Sequence, residues 1–133
     1  MAFTYPQKVL FKYCDPAGIV FFPRYFELIN DCIETFFGEA IGVPFEELMK
    51  VGGVPTVEIT ATFKAPSRHG DRLLLSLSCR RIGRTSATLD IDAHCSEELR
   101  FRATSTIVHV DRSGRPEVWP ARIKDKLQSH LNR

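Results

Sequence analysis

The residues best suited to chemistry lie in one short stretch, 14–27, which reads CDPAGIVFFPRYFE. Asp15 is followed by a proline and by Gly18, which favour a loop, and then by an apolar run. A carboxylate beside apolar walls is poorly solvated, so it is a stronger base or nucleophile than one in water. Pro23 suits the first turn of a helix, where free N–H groups near Phe22 would stabilise an oxyanion forming on a bound carbonyl. Asp15 could then attack that carbonyl carbon or activate a water molecule.

On these residues alone a structural role for Asp15 is favoured over a catalytic one, because aspartate before Pro-Ala-Gly often caps a turn. Histidine is the usual base near neutral pH, but His69 falls in a turn and His94 points outward on a predicted strand. Both are expected to be structural or exposed. Glu58 is expected at the surface or at an interface.

Helical periodicity begins at Pro23. Apolar side chains then recur at three- and four-residue spacing and share one helix face: Tyr25, Leu28, Ile29, Cys32, Ile33, Phe36 and Phe37. Gly38 is the expected end of this helix, with continuation towards Ala40 left open. A short helical turn is predicted over 44–49, and a C-terminal helix from Pro120 through residue 131.

Five strands are predicted from β-forming composition and from alternation of apolar and polar residues. The first covers 8–13, and four longer ones cover 57–64, 73–79, 87–95 and 101–107. Turns at Gly83 and 96–98 allow the last three strands to form an antiparallel meander. One helix can bury its apolar stripe only if such a sheet curls around it.

The composition sets limits on the kind of protein. A chain of 133 residues is expected to form one domain, 1–133, and a net charge of +2 argues against a nucleic-acid partner. The four cysteines are widely spaced, which argues against a metal site. Neither a signal peptide nor a membrane-spanning run is recognisable, so we expect a cytoplasmic protein with reduced thiols and no membrane partner.

The stretch 14–27 resembles the signature of the 4-hydroxybenzoyl-CoA thioesterase family, Asp-Xaa-Xaa-Gly-Xaa-Val followed by a tyrosine that opens a long helix. The matching residues here are Asp15, Gly18, Val20 and Tyr25. The resemblance extends more weakly over the whole chain. It implies an α+β hot-dog fold, in which an antiparallel sheet of about five strands wraps around one long central helix. It also implies a homodimer with active sites at the interface, commonly paired again into a tetramer.

The resemblance further implies hydrolysis of an acyl-CoA thioester to free acid and CoA. The acyl group would be aromatic, such as hydroxybenzoyl, or a short or medium chain. Asp15 would be the nucleophile or general base, and the amides near Phe22 would polarise the carbonyl. Tyr25 would shape the pocket, since an ordinary phenol is a poor base near neutral pH. Asn30 occupies the helix position at which an aromatic-acyl enzyme can use a carboxylate to bind a ring hydroxyl. CoA would be part of the substrate, with no cofactor or metal ion implied.

The CoA phosphates are expected to bind basic residues. By resemblance, Arg84 and Ser86 at a predicted hairpin are the first candidates, and Arg81, Lys64 and Arg68 are the second. Each arginine alone is as readily explained as solvated surface. Two alternatives remain open: a thioesterase acting on acyl carrier protein, and a non-catalytic domain that binds acyl-CoA. The second is disfavoured because binding alone needs no carboxylate beside a thioester.

Overall fold

The computed structural model describes residues 2–132. Its main sheet contains β1 Phe3–Lys8, β3 Thr56–Phe63, β4 Arg72–Ile82, β5 Ser86–Cys95 and β6 Glu98–Val108. The strands follow the order β1-β4-β5-β6-β3, and every neighbouring pair is antiparallel. Two short strands, β2 Gly52–Gly53 and β7 Val110–Asp111, pair with each other. The edges of the five-stranded sheet are therefore β1 and β3.

The long helix α1, Pro23–Phe36, packs against the sheet with its apolar face. The side chains predicted to form its stripe are buried: Tyr25, Leu28, Ile29, Cys32, Ile33, Phe36 and Phe37. Each such side chain contributes roughly 1.5–3 kcal/mol relative to an exposed one, so this stripe is a major part of the core. The curved antiparallel sheet around one long helix confirms the predicted hot-dog fold class.

The first strand predicted from the sequence, 8–13, is wrong. The structure has a strand at Phe3–Lys8 and a 3-10 helix at Phe11–Tyr13. Pro6 argues against a strand in a sheet interior, but β1 is an edge strand, where only one side of the backbone needs hydrogen-bond donors. The apolar side chain of Phe11, which suggested a strand, is 78% exposed.

The first long helix also extends further than Gly38. A π-helical turn, Phe37–Ile41, continues α1 and ends at Gly42, whose φ is 83°. Glycine adopts this left-handed conformation without a steric penalty, so it forms a natural helix end. The other predicted elements are present as α2 Phe45–Leu48, α3 Ala121–Ser129 and the β4-β5-β6 meander. Within residues 2–132 no helix combines the length and the apolar character that a membrane crossing requires.

Candidate active site

The loop that carries Asp15 is a tight turn stabilised by its own backbone. The Gly18 N–H donates to the Asp15 carbonyl at 2.9 Å, and the Asp15 N–H donates to the Ile19 carbonyl at 2.9 Å. Gly18 has a φ of 81°, a conformation that residues with a Cβ rarely adopt. The Asp15 Oδ1 atom accepts the Ala17 N–H at 2.9 Å, so the carboxylate is fixed in place while its side chain stays partly exposed. Asp15 does cap the turn, and the same hydrogen bond orients its second oxygen.

A neighbouring segment, 66–71, holds this loop through two backbone hydrogen bonds. The Val20 N–H donates to the Ser67 carbonyl at 2.9 Å, and the His69 N–H donates to the Gly18 carbonyl at 3.0 Å. The sequence does not indicate this support, because the two segments are distant along the chain. His69 is exposed, and its contribution to the loop comes from its backbone.

Arg100 on β6 anchors the supporting segment. Its Nη1 atom donates to the Pro66 carbonyl, to the Ser67 Oγ and, at 2.7 Å, to the Asp71 carboxylate. The hydrogen bond from Arg100, together with one from the Arg68 N–H, lowers the pKa of Asp71. Asp71 therefore stays ionised at neutral pH, and a charge-assisted pair fixes the segment against the sheet.

The thiol beside Asp15 is a poor competitor for the role of nucleophile. Burial raises the pKa of Cys14, and the Asp15 charge raises it further, so the thiol stays protonated at neutral pH. Burial also raises the pKa values of Cys32 and Cys79 to about 12. At this loop the Asp15 carboxylate is therefore the better candidate for the reactive group.

The start of α1 offers one free backbone donor. Pro23 has no N–H, and the N–H groups of Arg24 and Tyr25 donate to the carbonyls of Phe21 and Phe22. Among residues 2–132 the Phe22 N–H has no acceptor. The sequence predicts several free N–H groups near Phe22, whereas the structure of residues 2–132 leaves only the Phe22 N–H among them without an acceptor. This N–H lies at the positive end of the helix dipole.

An apolar cleft of about 300 Å³ adjoins this donor. It is lined by Ile19, Val20, Phe22, Tyr25, Phe63, Lys64, Ala65 and Pro66. The Tyr25 ring stacks on Phe63 at 5.3 Å between centroids and contacts Phe101 at 5.0 Å, so it forms a wall of the cleft. Phe22 is 57% exposed and Phe63 43% exposed, which leaves the cleft open towards the free edge of β3.

The structure places the predicted phosphate-binding residues in two groups. Lys64 lines the cleft, and Arg68 pairs through its backbone with Ile19 in the Asp15 loop. Arg84 and Ser86 lie at the far end of the sheet. Between the Phe101 and Val108 ends of β6, a rise of about 3.3 Å per residue gives roughly 20 Å. One chain alone therefore does not bring Arg84 or Ser86 to Asp15.

The remaining candidates lie elsewhere. Arg81 is on the outer face of the sheet, in a depression shared with Glu58 and Arg80. Asn30 is exposed on α1 and lines a second cleft, further along the helix. His94 is on the outer face of β5, partly exposed. No group of three or more potential metal ligands occurs within residues 2–132.

The edge strand β3 exposes apolar side chains towards its Thr56 end. Val57 is 60% exposed and Ile59 37% exposed, and the outer side of the strand has no neighbouring strand within residues 2–132. An exposed edge with apolar side chains is a surface suited to pairing with another strand. Alternation in the sequence predicts that β3 is a strand, but it gives no indication that it lies at the edge.

The chain matches the family described as the Thioesterase-like superfamily over residues 9–129. It therefore belongs to the Thioesterase-like superfamily and is a thioester hydrolase. The family predicted from the sequence is confirmed.

Relatives of known activity resemble the chain over most of its length. A 1,4-dihydroxy-2-naphthoyl-CoA hydrolase from Synechocystis is 24% identical, over 92% of this chain and 95% of that protein. The solved structure of BH1999 gentisyl-coenzyme A thioesterase superposes with a TM-score of 0.87 and 26% identity, over 94% of this chain and 99% of the other. A 4-hydroxybenzoyl-CoA thioesterase from Pseudomonas is 28% identical, over 62% of this chain and 61% of that protein.

Proposed function

We propose that this protein hydrolyses aryl-CoA thioesters to a free aromatic acid and CoA. The observation that carries the proposal is the free Phe22 N–H at the start of α1, beside an apolar cleft that the Asp15 loop helps to form. A thioester carbonyl accepting from that N–H would have its developing negative charge stabilised by the amide and by the helix dipole.

Asp15 supplies the reactive carboxylate in either of two routes. In the first, a carboxylate oxygen bonds to the carbonyl carbon, the C–S bond breaks, and CoA leaves as a thiolate, so that an acyl-aspartyl anhydride remains for water to hydrolyse. In the second, the carboxylate takes a proton from a water molecule as that water attacks the carbonyl carbon. Both routes end with the free acid, CoA and a regenerated Asp15.

The choice of an aromatic acyl group rests on the walls of the cleft and on the relatives. Phe22, Tyr25 and Phe63 present flat ring surfaces, which suit offset or edge-on contact with an aromatic ring. The three relatives described above are named for naphthoyl, gentisyl and hydroxybenzoyl thioesters, all of them aromatic.

A two-fold dimer through β3 would complete the site. Symmetry-related β3 strands paired antiparallel would bury the exposed apolar side chains and extend each sheet into the other. The Thr56 end of the partner's β3 would then lie against the Phe63 end of this chain. Asp15, partly exposed in one chain, would lose water on its exposed side, which would strengthen it as a base or nucleophile.

The same pairing supports a role for the distant hairpin in binding CoA. The backbone of Val108, which pairs with Ser86, bonds to Pro55 just before β3, so the hairpin lies at the Thr56 end of the sheet. Arg84 and Ser86 of the partner subunit would approach Lys64 and Arg68 of this chain. A guanidinium and a hydroxyl match phosphate oxygens by charge-assisted hydrogen bonds. Arg81, on the outer face, is the weaker candidate.

Pairing of dimers into a tetramer and a cytoplasmic location remain predictions. The four cysteines are free. Free thiols of this kind are what a reducing compartment maintains.

The function is tested by measuring thiol release from benzoyl, hydroxybenzoyl, phenylacetyl and aliphatic CoA esters, and from one aryl group carried by acyl carrier protein. The proposal expects the highest kcat/KM for aryl-CoA esters. Preferential hydrolysis of the carrier-protein ester, or of aliphatic CoA esters, would contradict the substrate assignment, and binding without hydrolysis of any ester would contradict the activity.

We expect Arg84→Ala to raise KM for benzoyl-CoA about tenfold while KM for the benzoyl ester of pantetheine, which lacks the nucleotide, changes little. The reason is that the guanidinium would contact phosphates absent from the shorter ester. Arg122→Ala, at an exposed arginine on α3, is the matched control and should leave both values unchanged. Equal increases for the two esters would contradict the phosphate role.

A further inference from the structure

A second cleft of about 280 Å³ lies between the middle of α1 and the β3–β6 side of the sheet. Its lining consists of Phe26, Ile29, Asn30, Ile33, Thr56, Ile59 and Ser105. The rings of Phe26 and Phe63, edge-on with 6.4 Å between centroids, lie between this cleft and the one beside Phe22. The two clefts are thus consecutive spaces along the same groove between α1 and β3.

Ser105, in this second cleft, has a buried hydroxyl that no contact within residues 2–132 explains. Its side chain is fully buried, and its Oγ atom has no hydrogen-bond partner among residues 2–132. The flanking positions on the same face of β6, Ala103 and Ile107, are apolar, as are its partners Leu89 and Ile59 on the neighbouring strands. A buried hydroxyl without a partner destabilises a protein, whereas alanine would fill the same position without that penalty. A ligand group that bonds to Oγ would account for the hydroxyl.

The α1 side of the cleft also carries a polar residue, Asn30. It carries both a donor and an acceptor, and a serine hydroxyl can likewise donate and accept. Neither carries a charge, so the pair suits a neutral polar substituent such as a phenolic hydroxyl or a ring carbonyl. An ionised group would be poorly compensated among Phe26, Ile29 and Ile59.

The distance from the reacting end fits an aromatic acyl group. From Phe22 to Asn30 the helix rises roughly 12 Å, and helical side chains lean back towards the N-terminus, which shortens the span. An acyl group of one ring or two fused rings, with a hydrogen bond of about 2.8 Å from its ring substituent to the protein, would occupy such a span.

We propose that Ser105 is a specificity residue that, together with Asn30, binds a neutral polar substituent on the ring of the acyl group, at the end remote from the thioester. This inference rests on the proposed function and narrows its substrates to aryl-CoA esters bearing a hydroxyl or carbonyl on the ring. The unpaired Oγ then receives its hydrogen bond only when such a substrate is bound.

The experiment compares wild type and Ser105→Ala on 4-hydroxybenzoyl-CoA and on benzoyl-CoA, which lacks the hydroxyl. The expected result is a loss of about tenfold in kcat/KM for the hydroxylated ester, against less than about twofold for benzoyl-CoA. Without substrate, Ser105→Ala should melt at the same temperature as wild type or higher, because it removes an unpaired hydroxyl. Ser78→Ala, on the outer face of β4, is the matched control. It should leave kcat/KM for both esters and the melting temperature unchanged.

Two outcomes would overturn the inference alone: an equal change for both esters, or a lower Tm that reveals a protein partner for Oγ. A wild-type enzyme that hydrolyses neither ester, nor any other aryl-CoA, would overturn the proposed function and this inference with it.

Discussion

Replacing Asp15 with asparagine is expected to lower kcat by about 10³-fold, since a positioned acid–base group contributes typically 10²–10⁴-fold. Asparagine has the same shape, and its side-chain oxygen can still accept the Ala17 N–H that Oδ1 accepts at 2.9 Å. The turn should therefore keep its geometry. An amide, however, neither attacks a carbonyl carbon nor takes a proton from water, so both routes to hydrolysis are lost.

The measurement is kcat on an aryl-CoA ester together with Kd for CoA and the melting temperature. Kd and Tm should stay close to wild type, because the substitution leaves the cleft and the loop hydrogen bonds in place. Asp125→Asn, at an exposed position of α3, removes the same charge and should leave kcat unchanged. A kcat for Asp15→Asn within a few-fold of wild type would remove Asp15 from the mechanism and leave it the role of a turn cap.

The second large effect is expected for Val57→Asp on the free edge of the sheet. Val57 is 60% exposed in one chain and lines neither cleft, so a change there acts on association rather than on substrate contacts. A carboxylate buried in an apolar interface is poorly solvated, at a cost of several kcal/mol. At micromolar concentration the variant should be a monomer and should lose nearly all activity, because the site would lack the partner subunit.

Sedimentation and activity, measured over the same range of protein concentration, test this expectation. Val118→Asp introduces the same charge at another exposed valine and serves as the control, with dimer and activity retained. A Val57→Asp variant that is monomeric yet fully active would show that one chain builds the whole site. A variant that remains dimeric would show that β3 is not the interface.

The Asp15 loop and α1 could be predicted from the sequence because their determinants are local. Gly18 allows the left-handed backbone conformation that the turn needs. Pro23 precedes a stripe of apolar residues that repeats with helical spacing. The β4-β5-β6 meander is similarly local, since short turns connect strands that alternate along consecutive segments. For these segments, local patterns predict which elements form and which face each one buries.

What the sequence does not contain is the arrangement of segments that are distant along the chain. Pro6 is compatible with a strand because β1 lies at an edge, and β3 has a free side because no strand within residues 2–132 pairs beyond it. Arg100 supports the Asp15 loop through a segment about thirty residues away from it in sequence, and such long-range pairing has no local signal. Ser105 fits the alternation of β6 as a buried residue, but its missing hydrogen bond becomes evident only in three dimensions.

The separation of Arg84 from Asp15 also depends on how distant segments are arranged, and it bears on how the site is assembled. Resemblance to the family groups the two residues in one site, whereas within one chain they lie at opposite ends of the sheet. Both statements hold if each site takes Asp15 from one chain and Arg84 from the other. The proposed dimer would bring the two residues into one site, and the exposed edge of β3 is the surface through which it would form.

Mixing two defective variants tests this account most directly. Asp15→Asn and Arg84→Ala proteins are unfolded together, refolded, and assayed at a benzoyl-CoA concentration well below the KM of the Arg84→Ala variant. Random pairing in a two-fold dimer should give mixed dimers with one intact site each, and about a quarter of the wild-type rate. A rate no greater than the average of the two variants refolded separately would mean that Asp15 and Arg84 do not serve the same site across the interface.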